Sequence, residues 1–354
     1  MFSLPLLCNC IVVFGFDITV WELQALTNGR FIKVGKGFEP SSSCGAAITC
    51  KNELEMINEE NLALVSSQLR KVLMSPSSVR QTMDWSKQAG TKELIVPDNF
   101  GEQQINCDSF IVVHGAGSFG HFQASKSGVH KGGLPLSIVT AGFVATRISV
   151  TSLNLEVVRA LAKDGIPAVG ISPFASGWST YKRNVENANV SEVVRIIDSG
   201  FIPVLHGDAV FDSFQGCTIL SGDIIIRHLA QELKPQYVVF LTDVPGVFDR
   251  PPTEANSVLL KEIVVKEDGS WSVVKPLLPH MNNAVQTTTV AHDTTGGMAT
   301  KIFEAAVIAK IGIDVYIVQA GTDHSWRALK GELPKTEEDN WIGTIVRSSQ
   351  SVTI

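Results

Sequence analysis

The sequence predicts an α/β fold in which helices cover both faces of a mostly parallel central sheet. Residues 111–113 form a short apolar, β-branched run, which is typical of a strand buried on both faces, and they lead into a loop with Gly115, Gly117 and Gly120. Downstream of this loop, a helical stretch, a glycine turn and an apolar strand recur along the chain. Residues 259–274 interrupt this pattern with two apolar stretches around a polar turn, which predicts an inserted β-hairpin.

The first helix is predicted over residues 54–73, because apolar side chains recur there at helical spacing. Residues 75–106 are polar and lack periodicity, so we expect a surface insertion without a chemical role. The further helices are predicted at 153–162, 190–197, 223–233 and 298–311. The further strands are predicted at 166–171, 201–206, 237–242 and 313–319.

The start of the chain does not fit this alternation. Residues 2–16 are apolar, but no lysine or arginine precedes them, Asp17 ends the run, and it is shorter than the ~20 residues that a spanning helix needs. A strand and glycine turn at 31–37 is an option. We therefore expect residues 1–43 to form an atypical segment outside the fold, followed by a single domain over 44–354.

The charge balance and the cysteine content indicate which partners and which compartment are expected. The chain has 354 residues, and 29 basic against 35 acidic side chains give a formal net charge of -6. This balance disfavours a nucleic-acid partner, which needs a positive surface. The six cysteines lack metal-ligand spacing, so we predict reduced thiols in a cytoplasmic protein without a membrane anchor.

The candidate chemistry lies at the carboxyl ends of the predicted strands, where open parallel sheets bind their ligands. The glycine loop that ends at His121 could cradle a phosphate with its backbone N–H groups. Gly222 and Asp223 open a helix, where an anion is stabilised. The stretch 293–298 opens another helix and places Lys301 one turn further on.

Each of these features has a simpler interpretation. His121 could cap a helix, Asp223 could serve as an N-cap, and Lys301 could be a solvated lysine. Their shared position on one edge of the sheet nevertheless favours phosphoryl transfer between two phosphorylated molecules.

Several motifs resemble those of one family. They are His-Gly-Ala-Gly-Ser-Phe-Gly-His at 114–121, Pro-Val-Leu-His-Gly-Asp at 203–208, Leu-Ser-Gly-Asp at 220–223, Leu-Thr-Asp-Val-Pro-Gly at 241–246, and Gly-Gly-Met at 296–298 followed by Lys301. Over residues 45–347 the chain resembles the isopentenyl phosphate kinases of the plant type, in the amino acid kinase superfamily. The histidine that closes the first motif is the specific signal.

This resemblance implies a three-layer αβα sandwich with a phosphate-acceptor lobe over 44–200 and a nucleotide-binding lobe over 201–354. It implies that ATP, with Mg²⁺, phosphorylates isopentenyl phosphate to isopentenyl diphosphate, a step that feeds isoprenoid biosynthesis. It also implies a homodimer.

The resemblance assigns roles to individual residues. His121 would grip the acceptor phosphate, Lys51 would touch the transferring phosphate, Asp223 would organise the lysines, and these three would act in catalysis with Lys301. Backbone contacts to the acceptor would come from Ala116, Gly120 and Gly222. The residues facing ATP would be Gly45, Gly117, Asp243, Gly246, Gly296, Gly297 and Lys301. No protein ligand to a metal is assigned.

The chain departs from the family pattern at its start. The family begins with a strand that ends Lys-x-Gly-Gly, whose lysine reaches the ATP phosphates. If Gly45 is the second glycine, Ser42 replaces the lysine and Cys44 replaces the first glycine. Either Lys33 or Lys36 substitutes for it through an insertion, or the N-terminus is altered, which the poor strand propensity of residues 41–43 favours.

Two alternatives follow. One is a superfamily kinase that acts on another small phosphate or a carboxylate. The other is a catalytically weak relative that binds nucleotide, because its lysine motif is disrupted.

Overall fold

The structure is a computed structural model that describes residues 8, 10–14, 48–50, 53–73, 82–84, 110–249, 255–276, 298–332 and 340–350, with backbone only for residues 14 and 298–301. The strands are β1 (Cys10–Phe14), β2 (Phe110–His114), β3 (Ala168–Ile171), β4 (Ser179–Tyr181), β5 (Asn184–Asn187), β6 (Ile202–His206), β7 (Asp208–Asp212), β8 (Gly216–Leu220), β9 (Tyr237–Thr242), β10 (Glu262–Val265), β11 (Trp271–Lys275), β12 (Asp314–Gln319) and β13 (Thr344–Ser348). The helices are α1 (Glu59–Leu73), α2 (Gly117–Ser127), α3 (Ser137–Lys163), α4 (Val190–Asp198), α5 (Gly222–Leu233), α6 (Met298–Lys310) and α7 (Asp323–Leu329).

The predicted central sheet is present and is parallel through its middle. In the described ranges its nine strands follow the order β11-β10-β13-β12-β9-β1-β2-β6-β3. The six strands from β12 to β3 are parallel, and β10 and β11 form the predicted antiparallel hairpin at one edge. Because the six carboxyl ends share one edge, the loops that follow these strands meet there.

Strand β1 corrects the prediction that residues 1–43 stand outside the fold. Cys10–Phe14 lies between β2 and β9, pairs in parallel with both, and is buried from Cys10 to Val13. The apolar run at the start of the chain therefore contributes a strand to the middle of the sheet. The possible strand at 31–37 lies outside the described residues, and the division into lobes at residue 200 stays a prediction.

Helices cover both faces of the sheet, as the sequence predicts. On one face, side chains of α4, α5 and α6 pack against Ile11 and Val113. On the other face, side chains of α1, α3 and α7 pack against Val12 and Val112. Alternate residues of each central strand thus point into two separate hydrophobic layers, which explains why these strands are apolar throughout.

A second sheet was not predicted. It has four strands in the order β5-β4-β7-β8. Strands β4 and β7 pair in parallel, whereas β5 with β4 and β7 with β8 pair antiparallel. Gly207 alone separates β7 from β6 of the main sheet. Asp208, the last residue of the motif at 203–208, therefore opens a strand of this second sheet.

Helix α3 is much longer than predicted. It has 27 residues from Ser137 to Lys163, whereas the apolar pattern indicated only 153–162. By length and composition it is the single helix of the described ranges that could span a membrane. It packs instead on the sheet, where Leu153, Val157 and Leu161 are completely buried.

Other expectations have mixed outcomes. Helix α1 begins at Glu59, because residues 54–55 form a turn. Cys8, Cys10 and Cys217 are free thiols as predicted, whereas Cys50 is disulfide-bonded. Of the insertion at 75–106 only residues 82–84 are described.

The central position of β1 predicts a large stability cost for Ile11→Ala. Ile11 is fully buried, and removing its side chain leaves a cavity that costs about 2–5 kcal/mol in the free energy of unfolding. Ile311→Ala is the matched control, since Ile311 is 46% exposed and should change this free energy by no more than about 0.5 kcal/mol. Urea denaturation of both variants gives the two values, and equal values would contradict the placement of β1.

Candidate active site

Two glycine loops meet at the edge of the main sheet. His114 ends β2 and His206 ends β6, and the two histidines are direct neighbours in the parallel register. The backbone N–H of Gly207 donates a hydrogen bond to the carbonyl of His114 at 2.8 Å. A Cβ at Gly207 would lie 2.9 Å from the backbone nitrogen of Ala116, so only glycine permits this close approach.

The loop after β2 leads directly into α2. Ala116 is the N-cap residue and its side chain offers no cap, and Gly117 follows with a φ of +52°. A Cβ at Gly117 would lie 2.8 Å from Oγ1 of Thr49, so both backbone angle and space require glycine here. The first N–H groups of a helix have no partners within the helix, which makes this terminus suitable for an anion.

His121 lies one turn into α2, after the glycine loop. Its side chain is partly buried, and burial lowers its pKa, to which the charge of His130 adds. The imidazole is therefore neutral at pH 7 in the protein without ligand. A phosphate dianion beside it would raise this pKa and favour the imidazolium.

The amino terminus of α5 presents a second set of backbone donors. Ser221 is its N-cap and accepts a hydrogen bond from the backbone N–H of Ile224, and Gly222 and Asp223 follow as buried residues. The Asp223 carboxylate is close enough to Glu304 on α6 to raise the pKa of Glu304. Asp223 therefore lies where α5 faces α6, the helix that carries Lys301.

Glu304 and Arg227 were not predicted as part of this region. Arg227 Nη1 donates to Glu304 Oε1 at 3.1 Å, and both side chains are mostly buried. Burial raises the pKa of Glu304 to about 7, while Arg227 opposes that rise. The sequence signal was available: Arg227 follows Asp223 by four residues and Glu304 follows Lys301 by three, so each pair shares a helix face.

The loop after β9 carries Asp243 and Gly246. Gln319 at the end of β12 donates to the carbonyl of Asp243 at 3.1 Å, which fixes this loop to the neighbouring strand. A Cβ at Gly246 would lie 2.7 Å from Oγ1 of Thr344, so packing against β13 by itself explains this glycine.

The remaining predicted residues are only partly visible. Gly45, Lys51, Gly296 and Gly297 lie outside the described residues. Lys301 lies within α6, but its side chain lies outside them as well. Of the predicted site residues that the structure describes, Ala116, Gly117, Gly120 and His121 follow β2, Gly222 and Asp223 begin α5, and Asp243 and Gly246 follow β9. That these three groups form one binding site stays a prediction.

An ion pair that the sequence did not reveal joins the second sheet to α3. Both carboxylate oxygens of Asp208, which is fully buried, accept hydrogen bonds from Arg147 Nη1 at 2.7 Å. Ser172, directly after β3, donates to the same carboxylate at 3.1 Å. The guanidinium also lies 4.7 Å from the ring centre of Phe174. This cluster fixes three chain segments beside the glycine loops.

An apolar layer lies behind α2, on the side of the second sheet. Its buried members are Ala124, Val129, Val139, Phe143, Ala209 and Cys217. The ring of Phe143 also packs against those of Phe174 and Phe211, and the three ring centres lie 5.2–5.9 Å apart. Helix α2, which begins at the glycine loop, therefore packs against an apolar region through Ala124.

Two cavities lie away from the glycine loops. One of about 360 Å³ opens beside Phe110 and Tyr237, at the amino ends of their strands and thus at the opposite edge of the sheet. Another of about 340 Å³ lies between Lys126 on α2 and Ile138 on α3.

Comparison with known proteins gives a consistent result. The model of the amino acid kinase family matches residues 100–319. Isopentenyl phosphate kinase of Arabidopsis thaliana is 62% identical over 86% of this chain and 94% of that protein. Isopentenyl phosphate kinase of Methanothermobacter thermautotrophicus is 33% identical over 63% of this chain and 81% of that protein.

Solved structures agree on the fold. An X-ray structure of isopentenyl phosphate kinase superposes with a TM-score of 0.62, covering 96% of this chain and 99% of that one at 24% sequence identity. At that identity the likeness bears on the fold alone, and it supports the three-layer arrangement of helices around the parallel sheet. Taken together with the family model and the relatives, these findings show that the chain belongs to the amino acid kinase family, and within it to the isopentenyl phosphate kinases.

Proposed function

We propose that this phosphotransferase uses ATP to phosphorylate isopentenyl phosphate, giving isopentenyl diphosphate for isoprenoid biosynthesis. The observation that carries the proposal is the contact between the two glycine loops, where Gly207 lies against the backbone of Ala116 and His121 follows one turn later. An anion at this point would meet the start of α2 and an imidazole, beside an apolar layer that suits an alkyl chain.

The chemistry requires positioning rather than a general base. An alkyl monophosphate is largely dianionic at pH 7, so its oxygen is already a nucleophile. Two unit charges of the same sign at ~4 Å repel by about 4 kcal/mol at an effective dielectric constant near 20. Cations and N–H groups must offset this repulsion while the donor and the acceptor are held in line.

We assign the acceptor side to His121, with backbone contacts from Ala116, Gly120 and Gly222. The partly buried, neutral imidazole of the free protein becomes charged when the dianion arrives, so the positive charge develops where it is needed. Burying a neutral imidazole also costs less free energy than burying an imidazolium.

We assign the nucleotide side to Gly45, Gly117, Asp243, Gly246, Gly296, Gly297 and Lys301. Lys51 would contact the transferring phosphate, and Asp223 would orient the lysines. The buried position of Asp223, between α5 and α6, is consistent with this orienting role.

Magnesium would be held mainly by the nucleotide. Among the described residues, no group of three or more His, Cys, Asp and Glu side chains is arranged to hold a metal ion. Mg²⁺ commonly binds through substrate phosphates, water and at most one or two carboxylates. When bound, it would neutralise charge on the transferring phosphate.

We further propose that the protein acts as a cytoplasmic homodimer through α3. Val144, Ile148 and Leu155 recur at spacings of four and seven residues, so they share one face of the helix. Their side chains are 53%, 64% and 49% exposed, which leaves an apolar stripe on the surface. A second copy of the same helix would bury this stripe.

His121→Ala tests the acceptor assignment. We expect the KM for isopentenyl phosphate to rise by about 10-fold or more and kcat to fall, because the lost contact is to the acceptor phosphate. The dissociation constant of ATP should stay within about 2-fold of the original. The control is His324→Ala in α7, where the histidine ring packs on Trp341, and all of its constants should also stay within about 2-fold. Steady-state kinetics and calorimetric ATP titration supply these constants, and an unchanged acceptor KM would refute the assignment.

Replacing residues 13–44 tests whether the start of the chain limits turnover. Strand β1 ends Val13-Phe14 before Gly15, so it has no lysine at this end, and Lys33 and Lys36 lie outside the described residues. A variant in which Lys-Leu-Gly joins Val12 directly to Gly45 should have a kcat at least ~10-fold higher, because the added ammonium offsets phosphate charge.

A second variant with Gln-Leu-Gly in the same place separates charge from loop length. It should remain slow in a coupled ADP-release assay. Equal rates for the three proteins would show that the disrupted motif is harmless. ATP binding without phosphoryl transfer in the original chain, restored by the lysine variant, would support a catalytically weak nucleotide binder.

Ile148→Asp tests the dimer. A carboxylate in the middle of the α3 stripe should convert the dimer to a monomer in sedimentation equilibrium, since burying an unpaired charge is costly. Ile311→Asp, at an exposed position beyond α6, should leave the mass unchanged. A monomer before any substitution would contradict the proposed interface.

A panel of acceptors separates the leading proposal from another small-molecule kinase. We expect isopentenyl phosphate to have a higher kcat/KM than acetylglutamate, aspartate or UMP, because the layer behind α2 is apolar and the charge that borders it, Arg147 beside Phe174, is already paired with Asp208. A preference for any of the other three acceptors would count against the proposal.

A further inference from the structure

Two buried histidines lie directly beneath the glycine loops and have no place in the proposed chemistry. His114 and His206 are both fully buried, and their rings stack with centres 5.7 Å apart and an angle of 21° between planes. Each is the last residue of its strand, and each is followed by the glycine that begins a loop. Because both histidines occupy the same position relative to a strand end and a glycine, we expect them to have the same role.

The hydrogen bonds of His114 determine which of its nitrogens carries the proton. The side-chain amide of Asn154 on α3 faces both the carbonyl of Val204 and Nε2 of His114, at 3.1 Å each. A carbonyl only accepts, so the group facing it is the NH₂ of Asn154, and Nε2 of His114 must then be the accepting nitrogen. The proton is left on Nδ1, which donates to the carbonyl of Gly115 at 2.9 Å.

The side chain of Asn154 occupies space beside β3 that a glycine leaves open. A Cβ on Gly170 in β3 would lie 2.3 Å from Oδ1 of Asn154, so the strand leaves room for this amide. The buried amide of Asn154 bonds to one residue of β2 and one of β6, and losing either partner would lower the free energy of unfolding by leaving a buried polar group unsatisfied.

His206 on the adjacent strand makes the same contact through Nδ1, although its Nε2 has no hydrogen-bond partner among the described residues. Its Nδ1 lies 3.0 Å from the carbonyl of Gly207, which only accepts, so the proton is again on Nδ1. Burial lowers the pKa of both rings, that of His114 to about 3, where the charge of His206 adds to the effect; at His206 the carboxylate of Asp208 and the hydrogen bond to Gly207 oppose the lowering without reversing it. Both imidazoles are therefore neutral at pH 7.

The consequence follows from the geometry of the peptide bond. A trans peptide is planar, and its C=O and N–H groups point in opposite directions. The peptide that carries the Gly115 carbonyl also carries the N–H of Ala116. When His114 draws this carbonyl toward the sheet, the N–H of Ala116 is directed away from it, toward the loop.

We propose that His114 and His206 are positioning residues that aim the backbone N–H groups of the two glycine loops through their Nδ1 protons. His114 directs the amide of Ala116, and His206 directs the amide of Asp208. The N–H of Gly207 also donates to the carbonyl of His114, so the peptides just before the two directed ones, His206–Gly207 and His114–Gly115, are joined to each other. This inference rests on the proposed function for its kinetic test, and its structural part is independent of it.

Two substitutions at His114 separate aiming from packing. Asn places its amide near Nδ1, so His114→Asn can still donate to Gly115. Gln reaches the position of Nε2, so His114→Gln can still accept from Asn154 but cannot donate to Gly115. Each variant thus keeps one hydrogen bond of the original ring, which makes them matched in number of bonds lost.

The expected result is a split between the two variants. His114→Gln should raise the KM for isopentenyl phosphate by about 10-fold or more, whereas His114→Asn should stay within about 3-fold of the original. Both variants should have melting temperatures close to each other. Equal kinetic effects, or a better enzyme with Gln than with Asn, would overturn the proposal.

A spectroscopic measurement keeps the test independent of turnover. In protein labelled with ¹⁵N-histidine, nuclear magnetic resonance should show His114 and His206 at pH 7 as neutral rings protonated at Nδ1, a tautomer that is the less common one in free imidazoles. A proton on Nε2 of either ring would overturn the proposal. If the tautomers are as expected but isopentenyl phosphate is not phosphorylated, the proposed function fails while the arrangement of the loops stands.

Discussion

The parallel pairing of β2 with β6 is the constraint on which the site depends. It brings the last residues of two strands side by side, so the loops that follow must pass within a backbone contact of each other. Glycine is required at that contact because any side chain would separate the loops. The helices that begin or pack nearby then supply donors and charge to a position that the sheet has already fixed.

Most of the fold could be predicted because buried parallel strands and amphipathic helices have distinct periods. Strand β1 was missed because its apolar residues lie within a longer apolar run, and 33 residues between Phe14 and Ile48 separate it from the rest of the domain. The second sheet was missed for a different reason: its strands have three to five residues and several half-exposed positions, so neither alternation nor a continuous apolar run marks them.

The site was predictable where its residues follow strands, because strand ends in a parallel sheet converge whatever the helices do. Arg147 and Glu304 could not be found in this way. Both lie within helices, where charged residues are usually solvated. The three-residue spacing of Glu304 from Lys301 was the available signal for Glu304, whereas the sequence does not show which face of α3 carries Arg147 toward Asp208. The two buried histidines were visible in the motifs, but their hydrogen bonds depend on an asparagine 40 residues away from His114.

The single residue between β6 and β7 has a consequence for how this molecule can move. Hinged enzymes usually rely on a few loop or element-terminal residues that absorb the change in backbone angles. Here Gly207 is pinned on one side by the carbonyl of His114 and on the other by the start of a paired strand. The two sheets are therefore rigidly coupled at this joint, and any closure around bound molecules must take place in other segments.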